Sequence, residues 1–217
     1  GKHIITSATE HKAVLDTCAH LEKSGAHITI LPVQPDGLID PAELSNALTD
    51  QTILVSIMYA NNETGVIQNI RELSAITHAR GSIFMSDATQ ACGKIRVNTD
   101  DDGIDLLTMS AHKIYGPKGC GALFVRRKNP RVKLIAQIDG GGHEKGLRSG
   151  TLNVPGIVGF GKACELANER MWEDNLHISK LRSVLEQNLI DLGNISVNGS
   201  TRNRLPNTSN LAFTGIK

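Results

Sequence analysis

The sequence predicts an α/β fold: a mostly parallel sheet with helices on both faces, followed by the start of a small α+β domain at the C-terminal end. Two observations support this prediction. Apolar runs of strand length alternate along the chain with helical patterns of about 10 to 15 residues, which is typical of repeated β-α-β units. Turn-forming pairs such as Ser24-Gly25 and Asp36-Gly37 separate these runs. The alternation favours parallel strands, because parallel neighbours need a crossover connection that is usually a helix.

The composition is that of an ordinary globular domain. Of the 217 residues, 40% are hydrophobic and 21% are charged. With 23 Lys and Arg against 22 Asp and Glu, the net charge of +1 indicates neither a nucleic-acid partner nor a membrane partner. Aromatic residues make up only 3%, which disfavours a surface that stacks nucleic-acid bases. The chain shows no signal-peptide pattern and no long apolar run, so we expect a cytoplasmic protein.

Most elements of the predicted sheet have a boundary signal of their own. Ser24-Gly25 is typical of a helix end, and Asp40 followed by Pro41 and Glu43 is typical of a capped helix start. A short loop precedes the last strand of the sheet, so we expect that strand to pair antiparallel. The strands are expected at residues 4–6, 26–31, 52–59, 82–86, 104–109 and 120–126, and the helices at residues 10–23, 41–48 and 69–79.

The C-terminal third predicts a different organisation. Apolar residues recur at helical spacing from residue 157 to residue 192, and short strands are expected at 195–197 and 209–213. We therefore expect a large domain over residues 1–155, a long linking helix over 156–192 and the beginning of a small domain over 193–217. The chain starts in one predicted strand and stops just after another. Because domains usually end in polar, loosely held segments, we expect it to be the middle part of a longer protein.

One stretch suggests chemistry. The apolar strand at 104–109 runs into Ser110-Ala111-His112-Lys113, and Gly116-Pro117-Lys118-Gly119 then breaks the chain direction. In an α/β sheet, ligands bind at the carboxyl ends of the strands. A lysine at such an end can form a Schiff base with a carbonyl group, so our hypothesis is that Lys113 holds pyridoxal phosphate. The alternative for Lys113 taken alone is a solvated loop residue.

Polar residues also follow other predicted strands. Asn62 comes shortly after one strand and Asp87 directly after the next, while His11 lies at the first strand-to-helix junction. Taken singly, Asn62 can serve a turn, Asp87 can cap a helix and His112 can be an ordinary loop histidine. Together they match the needs of pyridoxal phosphate: a carboxylate at the pyridine nitrogen, hydrogen-bond donors for the phosphate and a flat group on the ring. Asp87 suits the first need, and Ser110 with His112 suits the second.

Five sequence motifs, in order, carry a resemblance to a known family. The chain resembles the cysteine desulfurases, fold-type I pyridoxal-phosphate enzymes of the class V aminotransferase superfamily, and in particular the housekeeping type that supplies sulfur for iron–sulfur cluster assembly. The matching motifs are Thr9-Glu10-His11-Lys12-Ala13-Val14, Asn61-Asn62-Glu63-Thr64-Gly65, Asp87-Ala88-Thr89-Gln90 with Gly93-Lys94, Ser110-Ala111-His112-Lys113 through Gly119, and Gly140-Gly141-Gly142-His143-Glu144 with Arg148-Ser149-Gly150-Thr151.

The resemblance implies a role for each residue around the cofactor ring. Lys113 would be the Schiff-base lysine, and Asp87 would pair with the pyridine nitrogen. Gln90 would hydrogen-bond the ring hydroxyl. His11 would stack on the ring and help to move protons. Asn62 would contact the cofactor or the substrate carboxylate.

The resemblance also implies how the phosphate is bound and how many chains form a site. Ser110 and His112 would bind the phosphate of their own chain. Thr151 would reach the phosphate held by the other subunit. A homodimer is therefore expected, because each site would then contain a residue from the second chain.

The implied reaction removes sulfur from L-cysteine, which leaves L-alanine and an enzyme persulfide. The sulfur would then pass to an iron–sulfur scaffold or to another sulfur-acceptor protein. In the family, a phosphate-binding turn precedes the position of residue 1, and the nucleophilic cysteine and a substrate-binding arginine follow the position of residue 217. We therefore expect no desulfurase turnover from this chain alone.

Other readings stay open at this point. A selenocysteine lyase or another class V enzyme would share Lys113, Asp87 and His11, and a non-catalytic dimerisation fragment would share the fold. A nucleotide-binding loop at 116–121 is disfavoured, because the spacing of a P-loop and its terminal Lys-Ser or Lys-Thr are missing. No histidine pair has the spacing of a metal hydrolase. Among the four cysteines, Cys92 is expected to be the most reactive, because it lies at a predicted helix start.

Overall fold

The computed structural model describes residues 1–215 and contains the predicted alternation of strands and helices. The strands are β1 (His3–Ser7), β2 (His27–Leu31), β3 (Thr52–Ser56), β4 (Ile83–Asp87), β5 (Leu106–Ser110), β6 (Gly121–Val125), β7 (Ile195–Val197) and β8 (Leu211–Phe213). The helices are α1 (Lys12–Lys23), α2 (Pro41–Ala47), α3 (Ile70–Ala79) and α4 (Val154–Ile190). Two short 3-10 helices cover Ala111–Ile114 and Glu144–Gly146.

The first six strands form one sheet in the order β2-β1-β3-β4-β5-β6. Strands β1 to β5 are parallel, and β6 pairs antiparallel with β5. The connection through α1 leads from β1 to β2, toward one edge of the sheet. The connections through α2 and α3 lead from β2 to β3 and from β3 to β4, toward the other edge. Because parallel crossovers are right-handed, this reversal places α1 on one face and α2 with α3 on the other. The predicted fold, including the antiparallel last strand, is confirmed.

The main core lies between the sheet and the face that carries α2 and α3. Side chains from neighbouring strands, such as Ile5, Val55 and Phe84, are fully buried there. Leu44 of α2 and Leu73 of α3 pack against them and are also fully buried. Burying a side chain of this size contributes roughly 1.5 to 3 kcal/mol. This packing holds β1, β3, β4 and β5 in register, and so it holds the loops that follow them.

A second, smaller cluster attaches α4 to the end of β5. Ala111 and Ile114 of the first 3-10 helix contact Phe160 and Ala163 of α4, and all four side chains are buried. Helix α4 starts at Val154, two residues before the expected position, because Asn153 caps it by accepting a hydrogen bond from the Gly156 N–H at 3.2 Å.

Two other expected elements also differ from the structure. The strand expected at 52–59 ends at Ser56, although Ile57 still donates to the Met85 carbonyl at 3.0 Å. Residues 88–94 form turns and not the start of a helix, with Gly93 at a φ of 73°. A residue in that left-handed conformation interrupts a right-handed helix, which explains why none forms.

Strands β7 and β8 pair antiparallel after α4. The segment between them returns to the large sheet: the Leu205 N–H donates to the Gly65 carbonyl at 2.8 Å, and the Ile67 N–H donates to the Asn203 carbonyl at 2.9 Å. The hairpin is therefore hydrogen-bonded to the loop that follows β3. The division of the chain at residues 155 and 192 stays a prediction, and the last two residues of the predicted small domain lie outside the described residues.

Candidate active site

The predicted site residues follow four neighbouring parallel strands. In sheet order, His11 follows β1, Asn62 follows β3, Asp87 ends β4, and Ser110 ends β5. The carboxyl ends of parallel strands meet at one edge of a sheet, where α/β proteins bind ligands. Sheet pairing therefore brings together residues that are widely separated in the sequence.

Lys113 lies in the 3-10 helix that begins directly after Ser110. Ala111 and Ile114 point into the cluster with α4 and are buried. His112 and Lys113 lie between these two anchors and are exposed. Tyr115 then ends the turn in the left-handed conformation, at a φ of 65°. The apolar anchors thus present the lysine and the histidine on the outer side of a fixed turn.

Asp87 is half-buried at the end of β4, paired in register with Thr108 of β5. Its Oδ1 atom accepts a hydrogen bond from the Thr89 N–H at 2.9 Å. Within residues 1–215, its Oδ2 atom makes no hydrogen bond. The carboxylate is therefore held by one oxygen and can accept a ligand hydrogen bond with the other.

His11 is the N-cap of α1, and its Nδ1 atom accepts a hydrogen bond from the Ala13 N–H at 3.2 Å. Because Nδ1 accepts, a neutral His11 carries its proton on Nε2. The ring is exposed. The cap fixes one edge of the imidazole and leaves its face open.

Glu10, the residue before His11, is a site residue that was not predicted from the sequence. Its Oε1 atom accepts hydrogen bonds from the Ser7 hydroxyl at 3.0 Å and from the Met58 N–H at 2.6 Å. Its Oε2 atom is buried without a hydrogen-bond partner among the described residues. Burial raises the pKa of Glu10 to about 7; the two hydrogen bonds oppose this rise, and the Asp87 carboxylate adds to it. Glu10 ties the His11 loop to the ends of β1 and β3.

Asn62 is exposed, whereas the preceding Asn61 is buried and organises the loop. The Oδ1 atom of Asn61 accepts from the Glu63 and Thr64 N–H groups at 2.9 and 2.8 Å. Its Nδ2 atom donates to the Thr9 carbonyl at 3.0 Å. Asn61 thereby joins this loop to the one that carries His11, and it leaves Asn62 at the surface, where a ligand can reach it.

Gln90 and Lys94 lie in the turn after Asp87, and both are half-buried. The Lys94 ammonium donates to the Gln90 backbone carbonyl at 3.1 Å and to its side-chain Oε1 at 2.9 Å. Gln90 was predicted as a site residue from the sequence, and Lys94 was not. Gln90 and Lys94 are four residues apart, and this spacing was the signal in the sequence that could have predicted their contact. It is a signal normally used for helices, whereas these residues lie in a turn.

Thr151 lies in the sequence between the glycine-rich loop and α4. It is exposed, and within residues 1–215 it makes no hydrogen bond to any of the other predicted site residues. The preceding glycine-rich loop has few internal ties; one of them is the Ser149 N–H, which donates to the Ile138 carbonyl at 3.1 Å. Within the described chain, no contact fixes Thr151 to the residues at the strand ends.

The expectation that Cys92 is a reactive thiol is wrong. Because residues 88–94 are turns, no helix starts within that segment to stabilise a Cys92 thiolate. Burial, with smaller contributions from Cys164 and Asp87, raises the pKa of Cys92 to about 11. Burial also raises the pKa of Cys18 and of Cys164. These three thiols are protonated at neutral pH, and a protonated thiol is a poor nucleophile.

The comparisons with known proteins agree with this geometry. The family described as aminotransferase class V matches residues 1–217. The chain belongs to the class V aminotransferase family. A relative named cysteine desulfurase IscS, from Anaeromyxobacter sp. (strain Fw109-5), is 54% identical over 220 residues. That alignment covers 100% of this chain and 54% of the relative, so the chain spans about half the length of the curated protein that it matches.

Solved structures support the same assignment. A structure described as a NifS-like protein superposes with a TM-score of 0.94 at 39% identity, over 100% of this chain and 59% of the other. A structure of SspA in complex with cysteine has a TM-score of 0.84 at 38% identity, over 98% of this chain and 58% of the other. The predicted resemblance to the cysteine desulfurases is thereby confirmed for the family and the fold. None of the helices described between residues 1 and 215 has the length and apolar character needed to cross a membrane.

Enzymes of this kind depend on pyridoxal phosphate, and the donor set at the strand ends fits that cofactor. An exposed amine, Lys113, follows one strand, and a half-buried carboxylate with a free oxygen, Asp87, ends the adjacent strand. A carboxylate in that position can accept the proton of a pyridine nitrogen. Across residues 1–215, no cluster of histidine, cysteine and acidic side chains is arranged to hold a metal ion. An amine and a carboxylate are thus the groups at these strand ends that could hold the cofactor.

Proposed function

We propose that this chain provides the cofactor-holding part of a cysteine desulfurase that depends on pyridoxal phosphate. One observation carries the proposal: Lys113 and Asp87 lie at the ends of adjacent strands of the sheet, in a chain 54% identical to a protein named cysteine desulfurase. The similar structure of SspA contains cysteine, which supports that amino acid as the substrate. The proposed partners are a second copy of the chain and an iron–sulfur scaffold or other sulfur acceptor, in the cytoplasm.

Within this proposal, the residues around the ring have distinct tasks. Lys113 holds the cofactor through Nζ and later removes the α-proton of the bound L-cysteine. Asp87 Oδ2 accepts the hydrogen of the pyridine nitrogen. His11 would pack against the ring, and its Nε2 atom would help to move protons. Asn62 contacts the substrate carboxylate or the cofactor. The bound cofactor withdraws electrons from the α-carbon of the substrate, which makes its proton acidic.

The phosphate is assigned to hydroxyl and imidazole donors. Ser110 and His112, on either side of the buried Ala111, bind it at the end of β5. Thr151 is assigned to the phosphate of a second copy. Its exposure, and the lack of any hydrogen bond from it to the strand ends within residues 1–215, support that assignment.

The sulfur step needs a thiolate. That thiolate attacks the sulfur of L-cysteine, a sulfur–sulfur bond forms as the carbon–sulfur bond breaks, and protonation of the carbon leaves L-alanine. Cys18, Cys92 and Cys164 are not suited to this attack, because burial raises the pKa of each thiol. The fourth, Cys120, is half-buried, and its Sγ atom accepts a hydrogen bond from the Asn153 side chain at 3.6 Å. We assign the sulfur-accepting cysteine to a segment other than residues 1–217, as the resemblance to the cysteine desulfurases implies, and the Cys120→Ser variant below tests the remaining thiol.

Trapping the cofactor on the chain tests the proposal. The chain is incubated with pyridoxal phosphate, reduced with borohydride and digested, and the modified lysine is located by mass spectrometry. We expect the label on Lys113, its loss in Lys113→Ala, and full labelling in the matched control Lys118→Ala, which changes another lysine of the same loop. Labelling distributed over the surface lysines and unchanged by Lys113→Ala would overturn the proposal.

A second measurement tests the assignment of the thiolate. The chain loaded with pyridoxal phosphate is given L-cysteine, and alanine and sulfide are quantified. We expect no turnover above that of Lys113→Ala. Turnover that disappears in Cys92→Ser or in Cys120→Ser would contradict the assignment, because the accepting thiol would then lie within the chain. Selenocysteine supplied in place of cysteine separates a desulfurase from a selenocysteine lyase.

A further inference from the structure

Lys94 is placed against the site but has no role in the function proposed above. It lies in the turn between β4 and β5 and is half-buried. Its ammonium donates two hydrogen bonds to one residue, Gln90, at 3.1 Å to the backbone carbonyl and 2.9 Å to the side-chain Oε1. Asn175 of α4 donates through its Nδ2 atom to the Lys94 carbonyl. Lys94 is thus tied to Gln90 on one side and to α4 on the other.

The contact between Lys94 and Gln90 settles which way the Gln90 amide points. An amide side chain can be turned so that either its oxygen or its nitrogen faces a neighbour. A lysine ammonium has three donors and no acceptor, so only the amide oxygen can face it. The Gln90 Nε2 group, a donor of two hydrogens, is therefore directed away from Lys94. Within residues 1–215, that group makes no hydrogen bond.

Lys94 also brings a second positive charge close to Lys113. Burial lowers the pKa of Lys94, and the charge of Lys113 lowers it further, while Cys92 acts in the opposite direction. Lys113 is thus one of the charged groups that act on the Lys94 ammonium. The charge of Lys94 would therefore act on a cofactor bound at Lys113 as well as on Gln90.

We propose that Lys94 is a positioning residue of the cofactor site, which holds the Gln90 amide so that only its NH2 group faces the ring oxygen of pyridoxal phosphate bound at Lys113. The proposal rests on the proposed function, because it needs that cofactor at Lys113. A ring oxygen that carries negative charge is stabilised by a donor and destabilised by an amide oxygen. With Lys94 in place, Gln90 can only donate to it.

The test compares variants in the same chain by two readouts that need no turnover. The first is the dissociation constant of pyridoxal phosphate, and the second is the pH at which the visible spectrum of the bound cofactor changes. Lys94→Met removes the donor and the charge, Lys94→Arg keeps both, and Lys162→Met removes an exposed lysine of α4 as the matched control. We expect about tenfold weaker binding for Lys94→Met, the equivalent of about 1.4 kcal/mol. We also expect a spectral transition at higher pH, because the repelling charge is gone.

A double-mutant cycle shows whether Lys94 acts through Gln90. In the Gln90→Ala background, Lys94→Met should cause no further loss of affinity, because the amide that it positions is absent. The spectral shift should persist there, because it depends on the charge of Lys94. Lys94→Arg should keep both the affinity for pyridoxal phosphate and the pH of the spectral change at their wild-type values. That result would show that the changes in Lys94→Met come from the lost donor and charge and not from misfolding.

Three outcomes would overturn the proposal, and they differ in meaning. If the wild-type chain binds the cofactor and Lys94→Met binds and titrates in the same way, the role of Lys94 is wrong and the proposed function stands. If Lys94→Met weakens binding equally with and without Gln90, Lys94 does not act through the amide. Failure of the wild-type chain itself to bind pyridoxal phosphate overturns the proposed function, and this proposal with it.

Discussion

Glu10 and Glu186 are both buried glutamates, with 6% and 7% of their surface exposed, but they lie in opposite electrostatic surroundings. Glu10 lies at the strand-end edge of the sheet, where its hydrogen bonds come from a hydroxyl and a backbone N–H, and no cation within residues 1–215 is paired with it. Glu186 lies on α4 and receives both arms of the Arg204 guanidinium, at 2.8 Å each. Arg182 lies 4.0 Å from the same carboxylate.

The two carboxyl groups are almost equally buried, so the difference between their pKa values comes from their partners. Burial raises the pKa of Glu10 to about 7, and the neighbouring Asp87 adds to the rise. Burial acts on Glu186 in the same direction, but Arg204 and Arg182 more than offset it, so its pKa is lowered. Ser209 also lies beside this carboxylate, but its hydroxyl makes no hydrogen bond of good geometry among the described residues, and we assign the lowering to the guanidinium groups.

The two groups therefore make stability depend on pH with opposite signs. The usual pKa of both is 4.5. The folded chain binds a proton at Glu10 more tightly than the unfolded chain, so this stabilisation is present below about pH 4.5 and is lost as the pH rises through about 7. The stabilisation from Glu186 is present above pH 4.5 and is lost as the pH falls through its lowered pKa.

The largest expected effect is at the Glu186 pair. Arg204→Met leaves a buried carboxylate without its bidentate partner, which should lower the free energy of unfolding by about 3 to 5 kcal/mol at pH 7. Urea unfolding followed by circular dichroism measures the change. The double variant Glu186→Leu with Arg204→Met removes both charges and should recover most of the loss. Equal stability of the single variant and the wild type would show that Glu186 does not need Arg204 in addition to Arg182.

The next effect is at Glu10. Glu10→Gln keeps an acceptor for the Ser7 and Met58 donors but cannot ionise. Between pH 5 and pH 8, its free energy of unfolding should gain up to about 3 kcal/mol relative to the wild type, because only the wild type must ionise a buried group. Urea unfolding of both chains at a series of pH values gives this difference. A difference that does not change with pH would place the pKa of Glu10 near its usual value.

A smaller effect is expected at Ser7, where the contribution of a hydrogen bond to the pKa of Glu10 can be tested separately from that of burial. Ser7→Ala removes one donor to the Glu10 carboxylate, so the pKa of Glu10 should rise further. At pH 8, where the ionised form loses that bond, the cost should be about 1 kcal/mol, and it should be smaller at pH 5. Carbon-detected NMR titration of the Glu10 carboxyl group follows the pKa directly. A lowered pKa in Ser7→Ala would contradict the assignment.

The smallest effect on stability is expected at an ion pair on the protein surface. Lys162 contacts Glu165 at 2.9 Å on the exposed face of α4, with more than half of each side chain in water. Lys162→Met should leave the unfolding midpoint unchanged at both low and high salt, because water and ions screen such pairs. A loss comparable to that of Arg204→Met would remove the distinction between buried and solvated pairs.

Much of the fold and part of the site could be predicted without tertiary information. The alternation of patterns is local, and it located the strands to within a few residues. The position of Lys113 after an apolar strand and of Asp87 after another is also local, and parallel pairing then places both at one edge of the sheet. The reactivity of Cys92 could not be predicted in this way, because its pKa depends on burial and on Cys164, far along the chain.

The sequence by itself determined the order of the strands and helices, the residues that follow each strand, and the family to which the motifs belong, because these depend on neighbours along the chain. Only the tertiary structure decided the charge of Glu10, whose carboxylate meets a backbone donor 48 positions away, and that of Glu186, whose guanidinium partner lies 18 positions away. It also decided the orientation of the Gln90 amide. Charge and orientation depend on desolvation and on partners that only folding brings together.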